Sequence, residues 1–568
     1  MNDIRRTILW VIFGFSMVLL WDKWQVHNGH KATFFPSPAA VTASAPEGAA
    51  TASAPAAHAS TPAAAAAGTA QVPGGEAAAP VARERVTVTS DVLRLEFDGQ
   101  GGSLVHGELL KYPAMEDKAK PFVLFDDSAS RVYQAQTGLI GGAFPTHKTT
   151  MALVPGPREL KDGEDTLQVR FESPDLGGVK LTKTWTLKRG AYDIAVKHEV
   201  VNTGTAAVSP QLYLQLVRDG NKPAGESSFY STFTGPAVYT EAKKYQKVEF
   251  KDIKAKKFDI PSESTNGYIA MVQHYFASAW LLPDGVPRQL NMEATDIGAS
   301  TPDCCYRVQM ITPVGEIAPG QAKAVDARLF AGPQVEKTLE SLTPGLELVK
   351  DYGMFTILSK PLYWLLDKIH GVLGNWGWSI IGLVLLLKIA FYWLNAKAYA
   401  SMAKMKAINP KIMEMRERLK DKPQQMQQEM MRIYREEKVN PMGGCFPIMI
   451  QIPVFIALYW VLLSSVEIRN APWLGWIHDL SAPDPFFILP LLMTASSLLQ
   501  TALNPAPPDP MQAKMMWIMP LMFSVMFFFF PAGLVLYWLT NNILSIAQQW
   551  IINKRMGVPP QFNLPKFR

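Results

Sequence analysis

Apolar residues in this chain follow three rhythms, and each predicts a different kind of element. Between 85 and 345 they alternate with polar ones, as in Leu93, Leu95 and Phe97, in Val179, Leu181, Trp185 and Leu187, and in Ile194, Val196 and Val200. A period of two marks half-buried strands, and turn signals at 99–102, 177–178, 202–204 and 284–285 cut them into many short ones. The expectation is an all-β sandwich. From 351 to 374, Leu358, Leu362, Leu365, Ile369 and Val372 recur at intervals of four and three. That spacing predicts an amphipathic helix lying along a membrane surface. Continuous apolar runs occupy 375–395, 443–465, 486–503, 514–530 and 532–552. Each approaches the roughly 20 residues that cross a hydrocarbon core.

A shorter run within 1–24 reads as an uncleaved signal anchor, since a cleavage-like triplet, Ala43-Ser44-Ala45, lies far beyond it. The fold class expected is therefore a polytopic α-helical membrane protein with about six transmembrane helices plus an all-β sandwich. Residues 25–84, mostly Ala, Pro, Ser, Thr and Gly beyond 39, form a disordered linker between anchor and sandwich.

The stretch 396–440 is helical but polar. Met402, Met405, Ile408, Ile412, Met415 and Leu419 make one stripe, Asp421-Lys422-Pro423 breaks it, and Met426, Met430 and Ile433 resume it. Its many lysines and arginines, and the basic tail 553–568, place hairpin and both termini in the cytosol and the β region on the far side. Two readings of the stripe are open: an ordinary packing seam, or a flexible surface in which Met402, Met405 and Met415 capture apolar partners.

Lys388 is the one charge within 375–395. A cation there costs on the order of 3 kcal/mol on insertion scales, so it is expected to face water or protein inside the bundle; snorkelling toward the cytosolic headgroups is the blander alternative. Thr494, Ser497 and Thr501 share a face of their run, as do Tyr537, Asn541, Ser545 and Gln548 of theirs. Such stripes also arise from helix-to-helix hydrogen bonds. Together with Lys388 and Gln451 they suggest a groove with polar walls. Ile452, Phe455 and Tyr459, with Phe527 and Phe528, form a candidate hydrophobic track beside it.

Composition narrows the chemistry. Of 568 residues, 48% are hydrophobic and 18% charged, the balance of a membrane protein, while a net charge of +6 says little alone. Three cysteines, two of them adjacent at Cys304 and Cys305, support neither a disulfide framework nor a metal site, and free packed thiols are expected. The histidines show no ligand spacing, and no phosphate-binding glycine loop occurs, so no catalytic residue, metal or cofactor is expected. A secondary transporter would show paired repeats with broken helices, which the apolar runs do not. A carbohydrate-binding scaffold would need one anchor rather than six spans.

Four segments carry a resemblance: SMAKMKAINPKIMEMRERLKD at 401–421, NPMGGCFPIMIQIPVFIALYW at 440–460, WIHDLSAPDPFFILP at 476–490 and FPAGLVLYWLTNN at 530–542. They resemble the YidC membrane-protein insertase family, in the form with a large periplasmic domain. The resemblance implies an enzyme-free insertase and chaperone of the bacterial inner membrane. It would take nascent membrane proteins from the cytosol, alone or with the Sec translocon, in contact with lipid, with the ribosome a further candidate partner and no DNA. The family's groove arginine falls at Lys388, its last-span tyrosine at Trp538 beside Tyr537, and a substrate-touching position at Phe455. Lysine keeps the charge but loses arginine's planar fork.

Overall fold

The computed structural model describes residues 84–223, 232–295, 304–420, 422–437, 446–504, 510–557 and 562, with the side chains of 354, 423, 446–450 and 510–512 left aside. The expected anchor and linker, and nearly all of the tail beyond 557, lie outside the described residues. The chain divides into two units, 1–68 with 507–516 and 69–506 with 517–568. The second holds both a β region and a helical region.

Two nine-stranded sheets make the β region. One runs from the edge strand Arg85–Thr89 to Glu263–Ser264, the other from Lys244–Lys247 to Ala152–Leu153, with antiparallel neighbours such as Val179–Lys188 against Asp193–Asn202. The period-two residues face the space between the sheets, where Trp185 meets Phe97 at 5.0 Å and Trp280 at 6.1 Å between ring centroids. The same rhythm carries two polar residues inward. Lys183 is fully buried and donates to the carbonyls of Gly101 (2.6 Å) and Thr137 (2.7 Å); His198 meets the Thr137 hydroxyl at 3.0 Å. Cys304 and Cys305 are joined in a disulfide rather than left as free thiols, since adjacency keeps the two sulfurs within bonding reach.

Short helices α1 (Phe250–Lys254) and α2 (Glu336–Leu342) belong to the β region; the helical region comprises α3 (Thr356–Leu373), α4 (Trp376–Ala390), α5 (Tyr392–Arg418), α6 (Pro423–Glu436), α7 (Phe446–Ser464), α8 (Ile488–Leu503), α9 (Pro510–Phe527) and α10 (Ala532–Arg555). Gly374 ends α3 in the left-handed conformation (φ 65°) that glycine adopts without penalty. Asn375 then caps α4, accepting from the Trp378 amide. The face of α3 that packs inward is Ser359, Leu362, Tyr363 and Leu366. Of the expected stripe, Leu358 and Val372 are exposed, so the helix packs on one apolar side and presents Ile357, Trp364 and Val372 on another.

The predicted span 375–395 is not one straight helix. It breaks at Phe391, and α4 and α5 meet at a bend of 70°. Neither proline nor glycine marks the place, which is why the sequence did not show it. Among the described residues no single helix is long and apolar enough to cross a membrane; the bent pair passes that test taken together, and Gln451–Ser464, Ile488–Leu503 and Ala513–Phe527 are shorter apolar helices. The expected count of about six spans is therefore not established by helix length.

The β region is seated on the helical region. Arg469, in the loop after α7, lies between the rings of Phe122, Tyr275 and Phe276 (5.6–5.8 Å) and donates to the Pro113 carbonyl. His274 Nε2 meets the Leu463 carbonyl at 2.9 Å, and Lys118 pairs with Asp479 at 3.0 Å. The Lys350 ammonium is wholly buried against Glu467 (3.4 Å) and the Tyr363 ring (3.8 Å), while the Tyr363 hydroxyl donates to Glu467 at 2.7 Å.

Candidate functional site

An open cavity lies among α4, the start of α5, α7 and α10. Val384, Leu387 and Lys388 come from α4; Phe391, Leu394 and Asn395 from the bend and the first turn of α5; Gln451 and Val454 from α7; Tyr537 and Asn541 from α10. The helical period explains the gathering. Lys388 comes one turn after the buried Val384, while Leu385, Leu386 and Ile389 are exposed on the opposite side. The lysine thus faces the helices and the aliphatic side chains face out.

Lys388 Nζ donates to Ser545 Oγ at 2.7 Å, and Ser545 in turn donates to the Asn541 carbonyl at 2.7 Å. Lys388 is the one charged side chain among the described residues lining the cavity, and no carboxylate pairs with it among the described residues. An ammonium offers three donors. Ser545 accepts from one, which leaves the cation turned toward the cavity with capacity for an acceptor.

The remaining predicted positions divide. Gln451, Tyr537 and Asn541 line the cavity beside Lys388, with Ser545 behind. Thr494 and Ser497 do not. Thr494 donates back to the Pro490 carbonyl, and Ser497, with Ser496, accepts from Asn542, so this polar face closes the contact between α8 and α10. The face of α10 next to the predicted one is the one that α8 meets. Trp538 also lies outside the cavity lining, edge-on to Phe455 at 4.4 Å and 5.2 Å from Phe527. Phe455, Trp538, Phe527, Phe530 and Tyr459 form a connected aromatic cluster beside the cavity. Ile452 is half-exposed on its own, and Phe528 leaves the cluster to meet Phe487 at 5.5 Å. Sequence reasoning missed Phe391, Leu394, Asn395 and Val454. Val454 lies one turn beyond Gln451 and was findable by period; the others are placed by the bend.

In the α5–α6 pair, Met415 is buried with Ile408 and Ile412, and Met405 packs against them together with Met426, Met430 and Ile433. Met405 and Met415 thus belong to the seam, and Met402 is half-buried. The methionines exposed to solvent are Met413 (52%) and Met431 (47%). No group of His, Cys, Asp and Glu able to hold a metal occurs among the described residues.

Residues 85–365 match the family described as the YidC periplasmic domain, and residues 368–558 match the family described as the 60Kd inner membrane protein. The chain is 56% identical to the membrane protein insertase YidC of Cupriavidus metallidurans, over 98% of each chain. It is 54% identical, over the same shares, to that of Ralstonia nicotianae. Among solved structures it is similar to an active YidC insertase with the first transmembrane domain resolved, at 17% identity and a TM-score of 0.38, covering 82% of this chain and 91% of that one.

Proposed function

Because the chain belongs to the YidC family of membrane protein insertases, of the bacterial inner membrane and with a β-rich periplasmic domain, we propose that the Lys388 cavity is its insertion groove. The polar, translocated tail of a nascent membrane protein enters from the cytosol. There Lys388, Gln451, Tyr537 and Asn541 replace part of its hydration, which otherwise costs several kcal/mol per unpaired polar group. The apolar segment leaves past the aromatic cluster of Phe455, Tyr459, Phe527 and Trp538 into lipid. Burial of about 25 cal/mol per Å² of apolar surface drives that step without a nucleotide.

In this reading the 1–24 anchor, the bent α4–α5 pair and α7, α8, α9 and α10 account for six spans. Both termini and the α5–α6 hairpin are cytosolic, and α3 lies at the periplasmic interface. The same groove serves a chaperone role for clients that fold after insertion, working alone or beside the Sec translocon.

The observation that carries the reading is the one cation of the cavity lining, held without a carboxylate partner among the described residues, with Asn395, Gln451, Tyr537 and Asn541 and the apolar Val384, Leu387, Phe391, Leu394 and Val454 around it. One hydrogen bond to an ionised group returns about 1.5–3 kcal/mol, so Ser545 offsets only part of the cost of holding an ammonium in the membrane. A client carboxylate or water supplies the rest. The test is insertion of paired clients with acidic or neutral tails by Lys388→Arg and Lys388→Gln, read by protease protection. Arginine should preserve both; glutamine should impair acidic tails more than neutral ones. Equal insertion of both tails by Lys388→Gln would remove the charge from the mechanism.

A further inference from the structure

Three carboxamides reach the Lys388 cavity: Asn541 from α10, Gln451 from α7 and Asn395 from the first turn of α5. They differ from neighbouring carboxamides in what they bond. Asn542 donates to Ser496 and Ser497 of α8, Gln549 accepts from Gln500 and donates to Asn504, and Gln548 donates to the Tyr392 carbonyl. Those groups tie one helix to the next. Asn395 and Asn541, by contrast, make no side-chain hydrogen bond among the described residues, and both are half-buried, so their amides are held at the wall and remain reachable. Gln451 meets the Tyr537 hydroxyl, itself part of the lining.

A carboxamide carries two donors and an acceptor without charge, which complements a peptide group rather than an acidic or basic side chain. An α-helix offers it little, because the N–H and C=O groups of a helix bond one another. An extended chain leaves those groups free, and within a membrane each must find a partner. The spacing agrees. Tyr537 and Asn541 stand one turn apart on α10, about 6 Å, and alternate residues of an extended chain repeat at about 6.6 Å. The next turn brings Ser545 and the Lys388 ammonium bonded to it.

We propose that the cavity takes the client tail as an extended, non-helical segment and recognises its peptide backbone through Asn395, Gln451 and Asn541, leaving Lys388 to read acidic side chains. Such recognition is independent of tail sequence, since the peptide group is common to all residues. The inference rests on the reading of the cavity as the insertion groove.

The test uses the full-length chain in proteoliposomes and a synthetic single-span client whose acidic tail carries a photoreactive residue. In one form of the client, two alternate tail amides are replaced by esters, which removes N–H donors and keeps the extended shape. An ester is cheaper to desolvate, so a groove that only wets the tail would insert this form at least as fast. Backbone recognition predicts insertion about tenfold slower, from two lost hydrogen bonds. The penalty should vanish in Asn395→Leu with Asn541→Leu and persist in Asn395→Gln with Asn541→Gln, which separates recognition from misfolding. A tail locked as a helix by side-chain lactams should also insert slowly. Ester and amide tails that crosslink to the cavity and insert equally fast would overturn this inference and leave the groove standing. So would an ester penalty unchanged in the leucine variant, or a locked helix that inserts as fast as the linear tail. A tail that inserts without touching α4, α7 or α10 would overturn the groove itself, and this inference with it.

Discussion

Replacing Glu467 by glutamine removes the acid from a fully buried lysine. Lys350 has no exposed side-chain surface, and its ammonium lies 3.4 Å from the Glu467 carboxylate, 3.8 Å from the Tyr363 ring centroid and 5.4 Å from that of Tyr352. Breaking a buried pair from one side costs about 3–5 kcal/mol, because the remaining charge is left uncompensated. The two ring faces persist in the variant and offset about 2 kcal/mol. The Tyr363 hydroxyl keeps an amide oxygen as acceptor. The expected loss is about 1–3 kcal/mol.

Burial already holds the Lys350 pKa below its ordinary value, opposed mainly by Glu467. Without that acid it falls further. A lysine whose folded pKa is depressed adds stability as pH rises from the folded value toward the unfolded one near 10.4, so the deficit of Glu467→Gln should shrink on going from neutral to alkaline pH. Adding Lys350→Met should recover most of the loss at neutral pH, since it removes the stranded charge. The assay is unfolding of the full chain in detergent, with amide exchange of α3 as the local readout. A Glu467→Gln variant within about 0.5 kcal/mol of the parent, or one that Lys350→Met does not rescue, would show that the pair is not what holds the lysine in place.

Further outcomes rest on buried polar groups and exposed methionines. Burial, and then Lys183 nearby, push His147 and His198 down to about 3, so both are neutral when folded and charge on unfolding below about 6.5. Their contribution is complete above pH 6.5 and lost as pH falls toward 3, so the β domain should lose at least about 1 kcal/mol over that window by denaturant titration. His198→Gln should flatten the slope, and an unchanged slope would exclude the ring. Burial pushes Lys183 down to about 7, which adds stability as pH rises from there to 10.5. In the α5–α6 hairpin, Met413→Ser with Met431→Ser should reduce crosslinking to nascent clients while leaving the helices intact. Met415→Ser should instead destabilise the hairpin by about 2–4 kcal/mol, read as lost helicity, and the reverse pattern would return client capture to the seam residues.

The β sandwich was legible because alternation survives even where a residue is polar: Lys183 and His198 stand in core register and are buried there. Lys388 was legible because one charge in an apolar run has few stable placements. The bend at Phe391 was not, since no proline or glycine announces it, and with it went Asn395 and Leu394. Polar stripes misled on α8 because a hydroxyl facing a groove and one facing a neighbouring helix have the same period. Only the partner, Asn542, distinguishes them. Of the two readings open for the methionine stripe, the packing seam is where Met405 and Met415 stand, because periodicity marks the face a helix turns to its partner.

Whether client tails enter the Lys388 cavity can be read from a photocrosslinker placed at Asn541, at Asn395 or at Thr494, each variant being presented with a stalled nascent chain that bears an acidic tail. Asn541 and Asn395 border the cavity, whereas Thr494 lies on α8 with its hydroxyl turned to its own backbone. An insertion groove at Lys388 predicts that the tail crosslinks at Asn541 and Asn395 and not at Thr494. Crosslinks confined to Thr494, or equal at all three positions, would contradict it.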